Sequence, residues 1–176
     1  KAPARVIVRS EARGGRPFLG FENNGTIVDG IFRNPDGQHT IIFDNLITTL
    51  RDSIAVAQAE GSPISLINMV WLHGEADRAM AREVYTALHL EFITEVEALI
   101  ADTGVAIHWT LIQPSGTGPT GGGNFWPNRL ALFDVEAARD NCDVALTAYA
   151  YSQFDGSHYA ADGKIRMGET LGRIIA

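Results

Sequence analysis

Hydrophobic residues along the chain form two kinds of pattern that alternate with one another. Stretches of mainly apolar residues predict four buried strands, at residues 5–9, 64–72, 105–112 and 143–150. The second stretch is almost continuously apolar, which predicts a strand covered on both faces. Spacings of three and four predict two amphipathic helices, one with Phe43, Ile47, Leu50, Ile54 and Ala57, the other with Tyr85, Leu88, Phe92, Val96 and Leu99. Further helices are predicted over 128–138, with Pro127 near the start, and over 160–175.

The alternation of strand and helix predicts an α/β fold. Such an order favours a parallel sheet with helices on both faces, that is, a three-layer α/β/α domain. Residues 11–38 and 115–124 are rich in glycine and predict loops. Without an internal repeat or an evident linker, residues 1–176 are expected to form a single domain. In parallel sheets the catalytic and binding residues lie at the carboxyl ends of the strands. Polar residues that directly follow a strand are therefore the first candidates for a functional site.

Composition narrows the classes of partner. The net charge of -7 argues against nucleic acid, whose phosphates require clustered lysine and arginine. No apolar run reaches the roughly 18–20 residues of a membrane span. Cys142 is the only cysteine, so a disulfide framework within the chain is excluded. Nothing in the sequence implies a cofactor.

Two glycine or acidic segments directly follow predicted strands. Gly14 and Gly15 follow the first strand and would let backbone N–H groups approach an oxyanion, although paired glycines are also typical of a simple turn. Residues His73 to Asp77 (HGEAD) follow the second strand. Their carboxylates can orient a base, bind sugar hydroxyls, hold a metal or cap the next helix.

A third candidate segment follows the fourth predicted strand. Asp155 and His158 lie three residues apart at the start of the last predicted helix. This spacing lets a carboxylate accept the imidazole Nδ1–H and leaves Nε2 to take a proton from a nucleophile. The alternative is that Asp155 caps the helix.

Several metal and phosphate signatures are excluded because their partners are missing. His73 and Glu75 have the spacing of a zinc deaminase motif, but the Pro-Cys-x-x-Cys of that motif is absent. The metalloprotease His-Glu-x-x-His is absent too, and the glycine-rich loop lacks the Lys-Ser or Lys-Thr of a phosphate loop. Three other histidines lie outside the candidate segments. His39 is interpreted as a loop residue, His89 as a residue on a helix surface and His108 as a strand residue.

Taken together, the candidate segments resemble blocks of the sialate O-acetylesterase and acetylxylan esterase branch of the SGNH hydrolases. Residues 70–77 (VWLHGEAD) resemble the Trp-x-Gln-Gly-Glu-x-Asp motif, with His73 in place of glutamine. Residues 155–163 (DGSHYAADG) resemble the closing Asp-x-x-His block. Residues 6–10 and the glycine pair after them resemble the second block, a strand followed by a Gly-Gly turn.

The resemblance implies a flavodoxin-like sheet and a serine esterase that removes acetyl groups from an O-acetylated carbohydrate. His158 would be the general base, and Asp155 and Glu75 are the acids that would orient it. The residues implied in oxyanion or substrate binding are Gly15, His73 and Asp77.

The nucleophile of the family has no counterpart in this sequence. The family serine lies in a Gly-x-Ser motif after a strand that precedes all the segments above, and no such motif precedes Val6. Ser10 occupies the second block instead. The first strand and its serine are therefore expected on a segment outside this chain, removed or carried by a larger parent protein.

Two other functions stay open. In the first, the domain has lost its nucleophile and binds carbohydrate within a larger extracellular or virus-tail assembly. In the second, Glu75 and Asp155 form the carboxylate pair of a glycoside hydrolase.

Overall fold

A computed structural model describes residues 9–10, 14–115, 126–155 and 158–175. The first predicted strand, apart from Arg9, and most of the second glycine-rich loop lie outside these residues. The chain divides into two compact units, one of residues 1–67 and 95–106 and the other of residues 68–94 and 107–176. Whether residues 1–176 act as a single domain stays a prediction.

The described residues contain five strands and four helices. The strands are β1 (Phe21–Asn23), β2 (Thr26–Val28), β3 (Leu66–Leu72), β4 (Ala106–Gln113) and β5 (Cys142–Thr147). The helices are α1 (Ile41–Ala59), α2 (Arg82–Ile100), α3 (Trp126–Ala138) and α4 (Ala161–Ile175). Short 3₁₀ turns follow α2 at Ala101–Thr103 and β5 at Ala148–Ala150. All four helices and the last three strands lie where the hydrophobic spacing predicts them, with ends that differ by a few residues.

Both ends of helix α1 carry residues that are suited to a helix terminus. The Thr40 hydroxyl accepts a hydrogen bond from the Phe43 backbone N–H at 3.2 Å, which satisfies one of the free donors at the helix start. Gly61, just beyond the end, has a φ of 71°, a left-handed conformation that glycine adopts at low cost. The predicted stripe supplies the buried face of the helix, namely Phe43, Leu50, Ile54 and Ala57.

The prediction of a loop throughout residues 11–38 is wrong in one place. β1 and β2 pair antiparallel around Asn24 and Gly25. Both turn residues have positive φ, 50° and 76°, as a two-residue type I′ hairpin requires. The strands are three residues long and largely exposed, so they carry no hydrophobic alternation that would have predicted them.

The main sheet has the order β3-β4-β5, with β5 parallel to β4. Trp109 of β4 packs against Phe92 of α2, with ring centroids 5.9 Å apart, whereas Ile112 packs in a cluster with Met167 of α4. Residues 109 and 112 point to opposite faces of a strand, so helices contact both faces of β4. Helix α3 contacts β5. The fold is therefore a mixed α/β fold whose parallel sheet is flanked by helices.

The burial predicted for β3 is wrong. The strand lies at one edge of the described sheet, and alternate side chains along it are exposed: Leu66 by 51%, Val70 by 41% and Leu72 by 38%. An apolar stretch shows that a strand is suited to burial, but it does not show which neighbours cover it.

The surface position predicted for His89 on α2 is also wrong. His89 is 1% exposed, and the buried face of the helix runs through Tyr85, His89, Phe92, Val96 and Ile100. Leu99, assigned to the stripe from its spacing, is 37% exposed. The helix thus presents a face that includes one polar residue, which a search for apolar residues alone does not find.

Among the described helices, none has both the length and the apolar character needed to cross a membrane.

Candidate functional site

The segments that follow β3, β4 and β5 come together in the second unit. A Cβ added to Gly74, after β3, would lie 3.0 Å from Cγ of Pro114, after β4. Arg129 donates hydrogen bonds to the Pro114 carbonyl at 3.0 Å and to the Ser115 carbonyl at 3.1 Å. Its guanidinium also lies 4.2 Å from the ring centroid of Tyr149, which follows β5. The carboxyl ends of the three strands thus meet at one site, as expected of a parallel sheet.

Asp155 and His158 form a hydrogen-bonded pair at this end of the unit. Nδ1 of His158 lies 2.6 Å from Oδ2 of Asp155, and the His158 backbone N–H donates to Oδ1 at 2.7 Å. The His158 side chain is 72% exposed and stacks on Phe154, with ring centroids 5.7 Å apart. The alternative that Asp155 caps the last helix is wrong, because α4 begins at Ala161. The pair leaves Nε2 of an exposed imidazole available for proton transfer.

His73 and Asp77 form a second pair, which is buried. Nε2 of His73 lies 3.3 Å from Oδ2 of Asp77, and their side chains are 10% and 5% exposed. The Tyr85 hydroxyl lies 3.0 Å from Nδ1 of His73 and donates to the His73 carbonyl at 2.9 Å. Burial, with the charges of Asp77 and Glu75, raises the pKa of Tyr85 well above its ordinary value, so the phenol keeps its single proton.

The two ring nitrogens of His73 contact the Tyr85 hydroxyl and the Asp77 carboxylate. Because Tyr85 uses its only proton on the carbonyl, its oxygen is an acceptor for Nδ1–H of His73. Nε2 then faces a carboxylate, which also accepts a hydrogen bond.

Gly74 and Asn128 stabilise the turn between His73 and Asp77. Gly74 has a φ of 133°, and a Cβ there would lie 2.9 Å from the Tyr85 hydroxyl. The fully buried Asn128 donates both amide hydrogens, to the Gly74 carbonyl at 2.9 Å and to the Asp77 carbonyl at 3.0 Å. Both main-chain ends of the Gly74–Asp77 turn are therefore fixed to the start of α3.

The negative charge of Glu75 acts on Tyr159, which follows His158 in the chain, and on Arg129. Burial raises the pKa of the Tyr159 hydroxyl, and the negative charge of Glu75 adds to that rise while Ser115 opposes it. Burial lowers the pKa of Arg129, and Glu75 is among the groups that oppose this change. Among the described contacts there is no hydrogen bond between Glu75 and His158. The charge of Glu75 thus acts on Tyr159, the residue after His158, and on Arg129, whereas no described hydrogen bond joins Glu75 to the histidine.

Gly14 and Gly15 belong to the first unit. Gly15 has a φ of 69°, and a Cβ on either glycine would meet nothing within 4 Å. The pair forms an exposed turn. A role for Gly15 as an oxyanion donor stays a prediction.

Within the described part of the chain, no group of three or more His, Cys, Asp or Glu side chains is arranged to hold a metal ion.

Four residues of this site were not identified from the sequence: Tyr85, His89, Asn128 and Arg129. Tyr85 and His89 are four residues apart and share the buried face of α2, a spacing that could have shown them. Asn128 and Arg129 lie in the first turn of α3. A helix that follows a strand of a parallel sheet begins at the carboxyl end of that strand, so its first turn belongs with the site candidates.

Comparisons with protein-family models, with curated proteins and with solved structures give no match to this chain. Its relation to the SGNH hydrolases therefore rests on the sequence motifs and the geometry above, and is a proposal.

Proposed function

We propose that this chain is the larger part of a carbohydrate O-acetylesterase, a serine carboxylic ester hydrolase on a three-layer, flavodoxin-like SGNH fold. The observation that carries the proposal is the 2.6 Å contact between Nδ1 of His158 and Oδ2 of Asp155, with the His158 side chain 72% exposed. A carboxylate on Nδ1 holds the imidazole in the tautomer whose Nε2 accepts a proton. That is the requirement for a histidine that activates a hydroxyl nucleophile.

The reaction follows from this tautomer. Nε2 of His158 takes the proton of a serine hydroxyl as the serine oxygen attacks the acetyl carbonyl. The proton then passes to the sugar oxygen as the ester bond breaks, leaving an acetyl-serine. Water, activated by the same Nε2, releases acetate and restores the serine. The resemblance implies a role for the Gly15 backbone N–H as an oxyanion donor.

The nucleophile is proposed to come from a segment outside residues 1–176. Among the described residues, the ring of His158 hydrogen-bonds to Asp155 and to no serine hydroxyl. The serines described after β4 and β5 have other positions: Ser115 is fully buried, and the Ser152 hydroxyl donates to Asp162 at 2.5 Å.

The acidic segment after β3 has a supporting part in this proposal. The buried pair of His73 and Asp77 and the turn held by Asn128 fix the backbone around Glu75. Glu75, whose charge acts on Tyr159 and Arg129, is proposed to orient His158 or to accept a hydrogen bond from a sugar hydroxyl. His73 and Asp77 act on substrate binding through the turn that they hold.

The proposal is tested by hydrolysis of 4-nitrophenyl acetate and of acetylated xylo-oligosaccharides by the full-length protein. His158→Ala is expected to lower kcat/KM by roughly 10²–10⁴-fold, the usual contribution of a general base. His108→Ala is the matched control, because Nε2 of His108 pairs with Asp143 at 2.9 Å on the sheet, away from the dyad. Equal activity of the His158→Ala and His108→Ala variants would contradict the proposal.

Labelling identifies the nucleophile. A fluorophosphonate should modify one serine in the full-length protein, and peptide mass spectrometry should place it outside residues 1–176. A label on Ser10 would move the nucleophile into the chain. If the full-length protein is neither labelled nor active, the esterase proposal fails and a carbohydrate-binding domain is the better description.

A further inference from the structure

A cluster of one arginine and two aromatic rings lies at the carboxyl ends of β4 and β5, in the same unit as Asp155 and His158. The Arg129 guanidinium carbon is 4.2 Å from the ring centroid of Tyr149 and 5.5 Å from that of Trp126. We call these three residues the aromatic–arginine cluster. All three belong to the second unit, as do Glu75 and His158.

The arginine of the cluster is held rigidly. It is 5% exposed, and its Nε and one Nη donate to the main-chain carbonyls of Pro114 and Ser115. A planar guanidinium fixed by two hydrogen bonds is a firm support for aromatic rings that stack on it. The positions of both rings are therefore preorganised relative to the strand ends.

The two rings are exposed although they are large. Trp126 is 59% exposed and Tyr149 is 38% exposed, whereas Trp109 is 1% exposed. Aromatic rings contribute most to stability when they are buried, and exposed aromatic surface often marks a binding site. The flat apolar face of a ring suits the C–H face of a pyranose, and polar groups nearby then bind the hydroxyls.

The charges around the cluster favour a neutral ligand. Arg129 carries one positive charge, and the charge of Glu75 acts on it from within the same site. The chain as a whole has a net charge of -7, which disfavours phosphate-bearing or other anionic ligands. Tyr159, whose pKa both Arg129 and Glu75 influence, connects the cluster to the segment of His158.

We propose that Trp126 and Tyr149, supported by Arg129, form a subsite that binds the pyranose chain of a neutral oligosaccharide. This inference rests on the proposed function, since it assigns the sugar part of the substrate to a surface in the unit that carries Asp155 and His158. It also implies a preference for oligosaccharide esters over small acetyl esters.

Binding is measured without turnover, so the result does not depend on the esterase proposal. The full-length protein is titrated by calorimetry with unacetylated xylohexaose, cellohexaose and chitohexaose. At least one should bind, and Trp126→Ala and Tyr149→Ala should each weaken that binding at least tenfold. Trp126→Phe keeps an aromatic face and should keep most of the affinity, which separates a loss of stacking from a loss of fold. Phe133→Ala, at a 45% exposed aromatic position of the same helix, is the matched control and should bind as the wild type does.

Fluorescence gives a second reading of the same site. Trp126 is the most exposed of the three tryptophans, so bound sugar should shield it from acrylamide quenching, and Trp126→Phe should abolish that shielding. Binding of none of the three hexasaccharides would overturn the subsite, as would binding that the Trp126→Ala and Phe133→Ala variants share. Tighter binding of oligothymidylate or of an oligogalacturonate would overturn the neutral-sugar assignment.

The two proposals can fail separately. If the protein hydrolyses 4-nitrophenyl acetate in a way that depends on His158 but binds none of the sugars, the esterase proposal stands and the subsite proposal fails. Sugar binding that depends on Trp126, in a protein without esterase activity, leaves the subsite and supports a carbohydrate-binding domain.

Discussion

Asp155 holds His158 through both of its carboxylate oxygens. One oxygen lies 2.6 Å from Nδ1 of the ring, and the other accepts the His158 backbone N–H at 2.7 Å. The backbone bond fixes the carboxylate and the ring bond fixes the imidazole, so the orienting group lies only three positions before the histidine.

Asp155→Asn should therefore inactivate the dyad without disturbing the fold. The amide can still accept from the backbone N–H, but an amide NH₂ towards Nδ1 would favour the wrong tautomer of His158. We expect kcat for 4-nitrophenyl acetate to fall by roughly 10²–10⁴-fold in the full-length protein. The unfolding midpoint in urea should change little. A variant with wild-type kcat would show that Asp155 does not orient the base.

Gly74→Ala should destabilise the protein strongly. Its φ of 133° is costly for any other residue, and the new Cβ would lie 2.9 Å from the Tyr85 hydroxyl. We expect a loss of about 2–4 kcal/mol in the free energy of unfolding by urea. Gly168→Ala in α4 is the control, because a Cβ there meets nothing within 4 Å and alanine favours a helix, by about 0.5–1 kcal/mol. Equal effects of the two substitutions would contradict the geometry at Gly74.

Asn128→Asp should weaken the turn that carries Glu75. The amide donates to two carbonyls, and a carboxylate in its place would face both oxygens without a proton to donate. We expect a loss of roughly 1–3 kcal/mol, the cost of buried polar groups left unsatisfied. Asn45→Asp at an exposed position of α1 adds the same charge and should be nearly neutral. If Asn128→Asp were also neutral, the turn would not depend on these bonds.

His89 should make stability fall at low pH. Its burial lowers the pKa of the imidazole well below 6.5, and the charge of His73 acts in the same direction. The unfolded chain therefore binds a proton that the folded protein does not. The stabilisation associated with neutral His89 is fully present above about pH 6.5. Below that pH the free energy of unfolding falls by up to about 1.4 kcal/mol per pH unit.

His89→Phe should remove this part of the pH dependence. The comparison is the change in unfolding free energy between pH 7.5 and pH 5.0, which should be smaller in the variant than in the wild type. His108→Asn replaces a partly exposed histidine and should retain the loss at low pH. A loss of the same size in His89→Phe and in the wild type would show that His89 does not titrate in this way.

Contacts between residues three or four positions apart could be predicted from the spacing in the sequence. A carboxylate three residues before a histidine can reach it within a single turn, and the Asp155–His158 contact has that form. The same holds for His73 and Asp77, whose spacing of four residues spans one turn. Which of the two pairs is buried could not be read in this way, because burial depends on residues that are distant in the chain.

The sequence by itself determined the alternation of strands and helices and the segments that follow the strands, since hydrophobic period and turn residues act over a few positions. Only the tertiary structure decided that β3 lies at the edge of the described sheet, that His89 is buried, and that Arg129 joins the ends of β4 and β5. These features depend on pairing and packing between segments far apart in sequence. No local pattern encodes such contacts, because their energy arises only when the segments meet.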